Sequence, residues 1–458
     1  MKSLLKILKW TAIVLLGLPV LIYLVWLTGN LKHDALSPEV TELLARRPAQ
    51  MNEKDNAYFD IIGLGAPDNQ NPHEWGASWF VQASTNDSAY LAGKSVTPIK
   101  LEGYPASSQR AKLPCSNKDS KHACLEEVMS DRVAAKKYLD AEAILLRRFD
   151  ALLDQDYQEP YHPVMSDFPP FAPELRAVTL ARIRIALEIA EGKDSAAIAQ
   201  WGRETAFLLR QAEHSHSVVD KMICIAALNH HQELLAEYLS THPQAARAQT
   251  KQLLPMLNLY IQSAVTLKPA FESEAAFFAR LLVNSNESIG ILTEGGEFGK
   301  KVANILSDPF LDRQATVNEA VKNLLEWSHI AELGGDAYRT ALAKMAAQTP
   351  DIIDATFSYH NPVGKILIQV GNNDFSKYLY KSDNIIANKK LLAFTLGLIA
   401  RQATSSEQIA QALAAQSAEL QHPFTGEAPA WNAKQRTLGY STPAQFKESN
   451  AKPVVIKL

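Results

Sequence analysis

The longest uncharged run in the chain, WTAIVLLGLPVLIYLVWL at residues 10–27, places the strongest limit on what the chain can form. A helix rises about 1.5 Å per residue, so these eighteen residues reach about 27 Å, close to the hydrocarbon thickness of a bilayer. No second apolar run of that length follows. The sequence therefore predicts one transmembrane helix at residues 10–27, with the bulk of the chain on one side of the membrane.

Flanking charge indicates which way this helix points. Residues 1–9 contain three lysines, whereas Lys32 is the one basic residue close to the other end. Because basic flanks stay in the cytoplasm, residues 1–9 are predicted to be a cytoplasmic stub and the rest to be periplasmic. A cleaved signal peptide is the alternative, but its short apolar core ends in small residues, and here Trp26 and Leu27 occupy that place. An uncleaved signal-anchor is favoured.

Bulk composition is that of a soluble globular domain. Hydrophobic residues make up 47% of the 458 residues and charged residues 21%. A net charge of −3 gives no electrostatic reason to expect a nucleic-acid partner. We therefore expect no nucleic-acid partner. The predicted span makes the membrane one partner, an envelope protein is expected as another, and no cofactor is expected.

The three cysteines have two different settings. Cys115 and Cys124 bracket the polar stretch PCSNKDSKHAC, and outside the cytoplasm they could form a disulfide across this short loop. Half of a zinc site is the alternative, but no second cysteine pair lies nearby. Cys224 lies in the apolar run MICIAAL and is predicted to be a buried small side chain. The sequence favours a disulfide between Cys115 and Cys124.

Composition and the spacing of apolar residues divide the chain after the predicted span into three parts. Residues 28–121 are rich in Gly, Pro, Asn, Asp and Ser and predict a loop-rich membrane-proximal module, with a short helix and a strand or two. Residues 122–421 carry apolar side chains at three- and four-residue steps, which predicts a helical body with a possible internal break at 285–301. Residues 422–458 predict a turn-rich tail with two short strands.

The arrangement of the helices is less constrained than their existence. Two successive helix pairs of about 45 residues each are predicted between residues 173 and 268, which is the size of a helical repeat. No residue signature recurs between the pairs. The expected fold class is therefore mainly α, either an irregular bundle or a solenoid-like array of antiparallel helices.

The richest cluster of possible metal ligands lies between His214 and Glu233. His216, Asp220, His230 and Glu233 could ligate zinc, manganese or iron. If this region is one helix, His216 and His230 are about 21 Å apart along its axis and cannot share one ion. Each could supply half a site with a neighbouring carboxylate, and histidines that merely line a helix are the alternative.

Nucleophile motifs are missing from the sequence. There is no G-x-S-x-G and no H-E-x-x-H, and EGGEFGKK at residues 294–301 lacks the first glycine and the hydroxyl of a phosphate-binding loop. Cys224 has no base beside it in the sequence and lies among apolar residues. No catalytic residue is therefore assigned.

Three short stretches resemble one group of proteins. They are DNAYFDIIGLGA at 55–66, NPVGKIL at 361–367 and HPFTGEAPAWNAKQRTLGYS at 422–441. Together with the apolar N-terminus they are similar to a group of poorly characterised proteobacterial proteins, which share a membrane anchor, a helical body and a terminal (D/N/H)-P-F-(T/S/D)-G stretch. The resemblance implies a bacterial inner-membrane protein with a periplasmic domain, and it carries no activity with it.

Within the third stretch, four side chains are expected to pin the tail to the helical body: His422, Pro423, Phe424 and Trp431. Pro423 and Gly426 suit a bend in which φ is restricted or positive.

Stacked helices without an assembled catalytic motif favour a non-enzymatic function. The sequence predicts an envelope scaffold or interaction protein, single-pass in the inner membrane. The alternative is a metal-dependent envelope hydrolase that uses the region from His214 to Glu233.

Overall fold

The fold was analysed in a computed structural model, which describes residues 17–18, 20–46, 54–92, four positions between 94 and 99, 114–115, 123–161, 167–284, 308–348, 358–371, 374–403, 405–446 and 453–458. Within these ranges the chain is mainly helical, as predicted. The predicted internal break at 285–301 lies outside the described residues.

Eighteen α-helices follow residue 37 in the described part of the chain. The first seven are α1 (Pro38–Ala45), α2 (Ala57–Ile62), α3 (Pro72–Leu91), α4 (Cys124–Ser130), α5 (Arg132–Ala141), α6 (Ala143–Leu152) and α7 (Ala172–Ala190). The next six are α8 (Asp194–His214), α9 (Val218–Thr241), α10 (Pro243–Ala248), α11 (Thr250–Asn258), α12 (Gln262–Val265) and α13 (Lys268–Asn284). The last five are α14 (Arg313–Ile330), α15 (Gly335–Gln348), α16 (Pro362–Gly371), α17 (Ser376–Ala400) and α18 (Ser406–Gln416).

The predicted span is covered only in part. Residues 17, 18 and 20–29 are helical, whereas residues 10–16 and 19 lie outside the described residues. Over the stretches that the structure describes, no helix combines the length and the apolar character needed to cross a bilayer.

Helix α9 lies at the centre of the helical body. It packs against α8 on one side and α17 on another, and α8 in turn packs against α7. Most of its length is buried, and its exposed positions are Val219, Ala226 and the terminal Thr241. One apolar core joins α9 to the N-terminal helices and to the closely packed pair α13 and α14. A second core joins the other half of α9 to α17 and the C-terminal tail.

The helices do not repeat in the way that the sequence spacing suggested. α7, α8 and α9 have 19, 21 and 24 residues, but the stretch predicted as one further long helix forms α10, α11 and α12, of 6, 9 and 4 residues. Pro255 lies inside α11 and lacks the N–H that a continuous helix needs. The body is therefore an irregular bundle in this region.

The predicted loop-rich module contains a long helix that its composition concealed. α3 has twenty residues and begins after Asn71, whose side chain accepts hydrogen bonds from the backbone N–H groups of His73 (2.9 Å) and Glu74 (3.4 Å). Its buried positions include Gly76 and Asp87 beside Trp79, so no apolar stripe marks it in the sequence. No strand of the predicted kind occurs among the described residues before 123.

The tail forms a small antiparallel sheet. Its strands are β1 (Ala430–Asn432), β2 (Thr437–Gly439) and β3 (Val455–Lys457), with Leu438 paired to both Trp431 and Ile456. Leu438 and Ile456 are buried against the helical body. Two strands were predicted, and the third comes from the C-terminal residues.

The prediction for the cysteines is confirmed. Cys115 and Cys124 form a disulfide with an S–S distance of 2.05 Å. Cys224 is free and fully buried, and burial raises the pKa of its thiol well above the ordinary value.

Two helical glycines give a matched test of this packing. A Cβ on Gly76 would lie 1.9 Å from the carbonyl oxygen of Phe59, because α2 and α3 cross there in close contact, whereas a Cβ on Gly202 in α8 would meet nothing within 4 Å. We expect Gly76→Ala to lower the free energy of unfolding by about 1 to 3 kcal/mol. Gly202→Ala should raise it by about 0.5 to 1 kcal/mol. Urea unfolding of the full-length protein in detergent measures both, and equal effects would contradict the described crossing.

Candidate functional site

The four predicted metal ligands lie in separate settings. Asp220 is buried and accepts hydrogen bonds from Tyr157 Oη (2.5 Å), Gln211 Nε2 (3.1 Å) and Ser215 Oγ. The ring of His216, four residues earlier, is exposed, while its backbone N–H donates to the Glu159 carboxylate.

The second pair lies further along α9. Burial, together with Arg182 and His231, lowers the pKa of His230 to about 3. Glu233 accepts a hydrogen bond from Asn229 Nδ2 at 2.9 Å. Among the described residues, Asp34, Asp312 and His360 bring three ligand atoms within 4.8 Å of one another, and none of the predicted four belongs to such a group.

The surroundings of Asp220 are a buried network of acids. Glu159, Glu174 and Asp220 are 5%, 1% and 1% exposed. Loss of hydration raises the pKa of Glu159 and of Glu174 to about 8, and the neighbouring Asp220 adds to both shifts. Gln211 Nε2 donates to both Glu174 Oε1 (2.7 Å) and Asp220 Oδ1.

A buried lysine borders these acids. Lys221 is fully buried, and its ammonium group donates to the carbonyl oxygens of Ala264 (2.9 Å) and Ala212. Burial lowers the pKa of Lys221 to about 8. A substrate could reach neither the lysine nor the acids without separation of the helices, so we interpret the network as a structural connection between α7, α8 and α9.

An open groove of about 620 Å³ lies where the tail meets the body. Its walls are the C-terminal part of α14, helix α15, the start of α17 and two stretches of the tail. Its apolar lining includes Trp327, Leu342, Met345 and Phe424.

The HPFTG stretch forms one wall of this groove through a tight turn. His422 is buried, stacks on Tyr380 with ring centroids 5.5 Å apart, and lies with Nε2 at 2.7 Å from Asn384 Oδ1. Its Nδ1 accepts a hydrogen bond from the backbone N–H of Phe424, so Nε2 carries the proton. Burial lowers the pKa of His422 to about 3, which keeps the ring neutral. The expectation that His422 and Phe424 pin the tail is therefore confirmed.

Gly426 closes the turn with a φ of +70°. A Cβ there would lie 2.5 Å from Nη1 of Arg339. Glycine thus permits both the left-handed backbone and the close approach of a guanidinium group from α15.

Charge in the groove is unevenly compensated. Arg339 pairs with Asp336, a highly exposed residue at the start of α15. The carboxylates of Asp374 and Glu427 are exposed, and no described basic side chain lies within ion-pair distance of either. The groove therefore combines an apolar floor with an acidic edge.

Comparison of the chain with family models, with curated proteins and with solved structures finds no match. The resemblance to membrane-anchored proteobacterial proteins therefore stays an expectation from the sequence.

The raised carboxyl pKa values predict how stability depends on pH. Glu174 has a pKa of about 8 in the folded protein and an ordinary one near 4.5 in the unfolded chain. Between these values the folded state binds more protons, so the free energy of unfolding falls as pH rises from about 4.5 to 8. Glu174→Gln, which cannot ionise, should make this fall smaller by about 1 to 3 kcal/mol.

Urea unfolding at several pH values between 5 and 8 measures this dependence. Exposed Glu419→Gln is the control and should leave the pH dependence unchanged. An unchanged pH dependence in Glu174→Gln would show that this carboxyl does not hold its proton in the folded state.

Proposed function

We propose that the chain is a non-enzymatic interaction protein of the bacterial envelope, anchored in the inner membrane by residues 10–27, whose groove binds an extended segment of a periplasmic protein. The observation that carries the proposal is the groove itself. It joins an apolar floor that includes Trp327 and Phe424 to two exposed carboxylates for which the described residues supply no basic partner. Aromatic side chains are enriched where proteins bind one another.

The compartment is supported by three features. The apolar run at residues 10–27 is long enough to span a bilayer, and lysines precede it. The disulfide between Cys115 and Cys124 fits an oxidising compartment such as the periplasm. The resemblance described above points to the same membrane.

The chemistry of the lining favours one class of occupant. An apolar side chain would cover Leu342, which lines the groove and is half-buried, and would lie beside the buried ring of Phe424. A lysine or arginine next to it would pair with Asp374 and Glu427. The proposed ligand is therefore a segment that places a basic residue beside an apolar one.

The alternative function, a metal-dependent hydrolase that uses the region from His214 to Glu233, gains no support from the geometry. Asp220 is already hydrogen-bonded and buried, and His230 lies in a different environment on the same helix. The described residues of this region offer no point at which three ligands meet.

Site-specific cross-linking tests the proposed groove. A photoreactive benzophenone amino acid at Ala343, an exposed lining residue, should cross-link a discrete envelope protein in cells of the host. Mass spectrometry of the cross-linked peptide should find a basic residue beside an apolar one. The double variant Asp374→Lys, Glu427→Lys should reduce the yield at least about tenfold, because facing like charges cost several kcal/mol.

Glu419→Lys is the matched control, since this exposed acid belongs to the same region and does not line the groove. It should leave the yield unchanged. A cross-link that survives the double charge reversal, or the absence of any cross-link, would contradict the proposed binding site.

A further inference from the structure

Three ligand-bearing side chains from distant parts of the chain meet beside the end of the predicted span. His360 Nε2 lies 3.6 Å from Asp312 Oδ2 and 3.9 Å from Asp34 Oδ1. All three atoms lie within 4.8 Å of one another. Ligands about 2.1 Å from a tetrahedral ion are roughly 3.4 Å apart. The two distances from His360 would therefore contract by a few tenths of an ångström, and the distance between the two carboxylate oxygens by at most about 1.4 Å, to close this group around an ion.

The hydrogen bond of Nδ1 determines whether Nε2 of His360 can act as a metal ligand. Its Nδ1 lies 3.0 Å from the carbonyl oxygen of Gly29, which can only accept, so Nδ1 carries a proton. In the neutral ring Nε2 then carries a lone pair and can act as a ligand. This atom is buried and has no hydrogen-bond partner among the described groups, yet it faces two carboxylates. A lone pair that faces two carboxylates in this way is an arrangement that a metal ion between them would stabilise.

Hydrogen bonds hold the carboxylate of Asp312 in place and leave open the position between it and His360 Nε2. Asp312 is 2% exposed, and its Oδ1 accepts from the backbone N–H of Ala315 at 3.0 Å as the N-cap of α14. Its Oδ2 accepts from the backbone N–H of Asp34 at 2.7 Å. The backbone N–H of Asp312 donates to Asn361 Oδ1.

We propose that Asp34, Asp312 and His360 bind one divalent ion of the zinc class, and that this ion joins the segment after residues 10–27 to the helical body. One imidazole and two carboxylates, with an outer carbonyl that orients the ring, form a donor set that suits zinc. The fourth position is open to water or to His33, which is exposed and whose Nδ1 lies 3.8 Å from Asp312 Oδ1.

The surrounding contacts show which two segments the ion would join. Asn361, with a φ of +51°, donates its backbone N–H to Asn30 Oδ1 at 2.7 Å, and Asn30 Nδ2 donates to the carbonyl oxygens of Trp26 (2.8 Å) and Tyr359 (3.2 Å). A Cβ on Gly29 would lie 2.6 Å from the Tyr359 carbonyl oxygen. These contacts already place residues 26–34 against the 358–361 turn. The ion adds a further link between the two segments, which forms only when the metal is available. This inference depends on neither the groove nor its ligand.

Zinc titration of the full-length protein in detergent tests the site. After treatment with EDTA, competition against a chromophoric chelator should give one tight zinc per chain. Asp34→Asn and His360→Asn should each raise the dissociation constant by about 100-fold or more, because loss even of an outer partner costs 10 to 100-fold. Asparagine at 360 keeps an N–H that can donate toward Gly29, which protects the turn. His216→Asn is the matched control and should bind as the wild type does.

A second measurement reports on the joined segment. Lys32 is exposed, and zinc should slow tryptic cleavage after it in the wild type but not in His360→Asn. Absence of stoichiometric zinc, or zinc binding that His360→Asn leaves intact, would overturn the proposal. Zinc binding lost only in His216→Asn would overturn it as well and would move the site to α9.

Discussion

The fold depends on polar groups that are hydrogen-bonded deep inside it around α9. A helix surrounded by other helices can rotate or slide when only apolar contacts hold it, because such contacts are not directional. Here Asp220 receives three side-chain hydrogen bonds, and Lys221 reaches two carbonyl oxygens of neighbouring segments. Each lost partner would leave a buried polar group unsatisfied, which costs about 1 to 3 kcal/mol. These bonds fix the register of α9, and the two cores assemble on either side of it.

The same reasoning explains why the two ends of the molecule are organised differently. At the end near residue 30, Asn30 Oδ1 accepts a hydrogen bond from the backbone N–H of Asn361, and Asn30 Nδ2 donates to the carbonyl oxygen of Tyr359. These two bonds hold the segment around residue 30 against the turn at 358–361. At the tail, one neutral histidine stacked on Tyr380 sets the HPFTG turn and so shapes a groove wall. The segment around residue 30 is therefore firmly attached to the helical body, whereas an open groove lies beside the tail.

Local signals in the sequence predicted the parts of the fold that depend on local physics. The periodicity of apolar residues predicted the helical body and the long helices α7, α8 and α9, and the setting of Cys115 and Cys124 predicted the disulfide. Helix α3 was missed because its buried face includes Gly76 and Asp87 beside Trp79 and Ala83, so that no continuous apolar stripe marks it in the sequence. The groove and the group around His360 could not be predicted, because they unite residues such as Asp34 and Asp312, which are 278 positions apart.

The central claim is that residues 10–27 cross the membrane and hold the helical body on its far side. Single reactive cysteines at Ser3→Cys and at Ala415→Cys, an exposed position on α18, test it most directly when spheroplasts are treated with a membrane-impermeant maleimide. The account predicts that A415C is labelled in intact spheroplasts and that S3C is labelled only after lysis. Labelling of S3C in intact spheroplasts, or protection of A415C until lysis, would contradict the account.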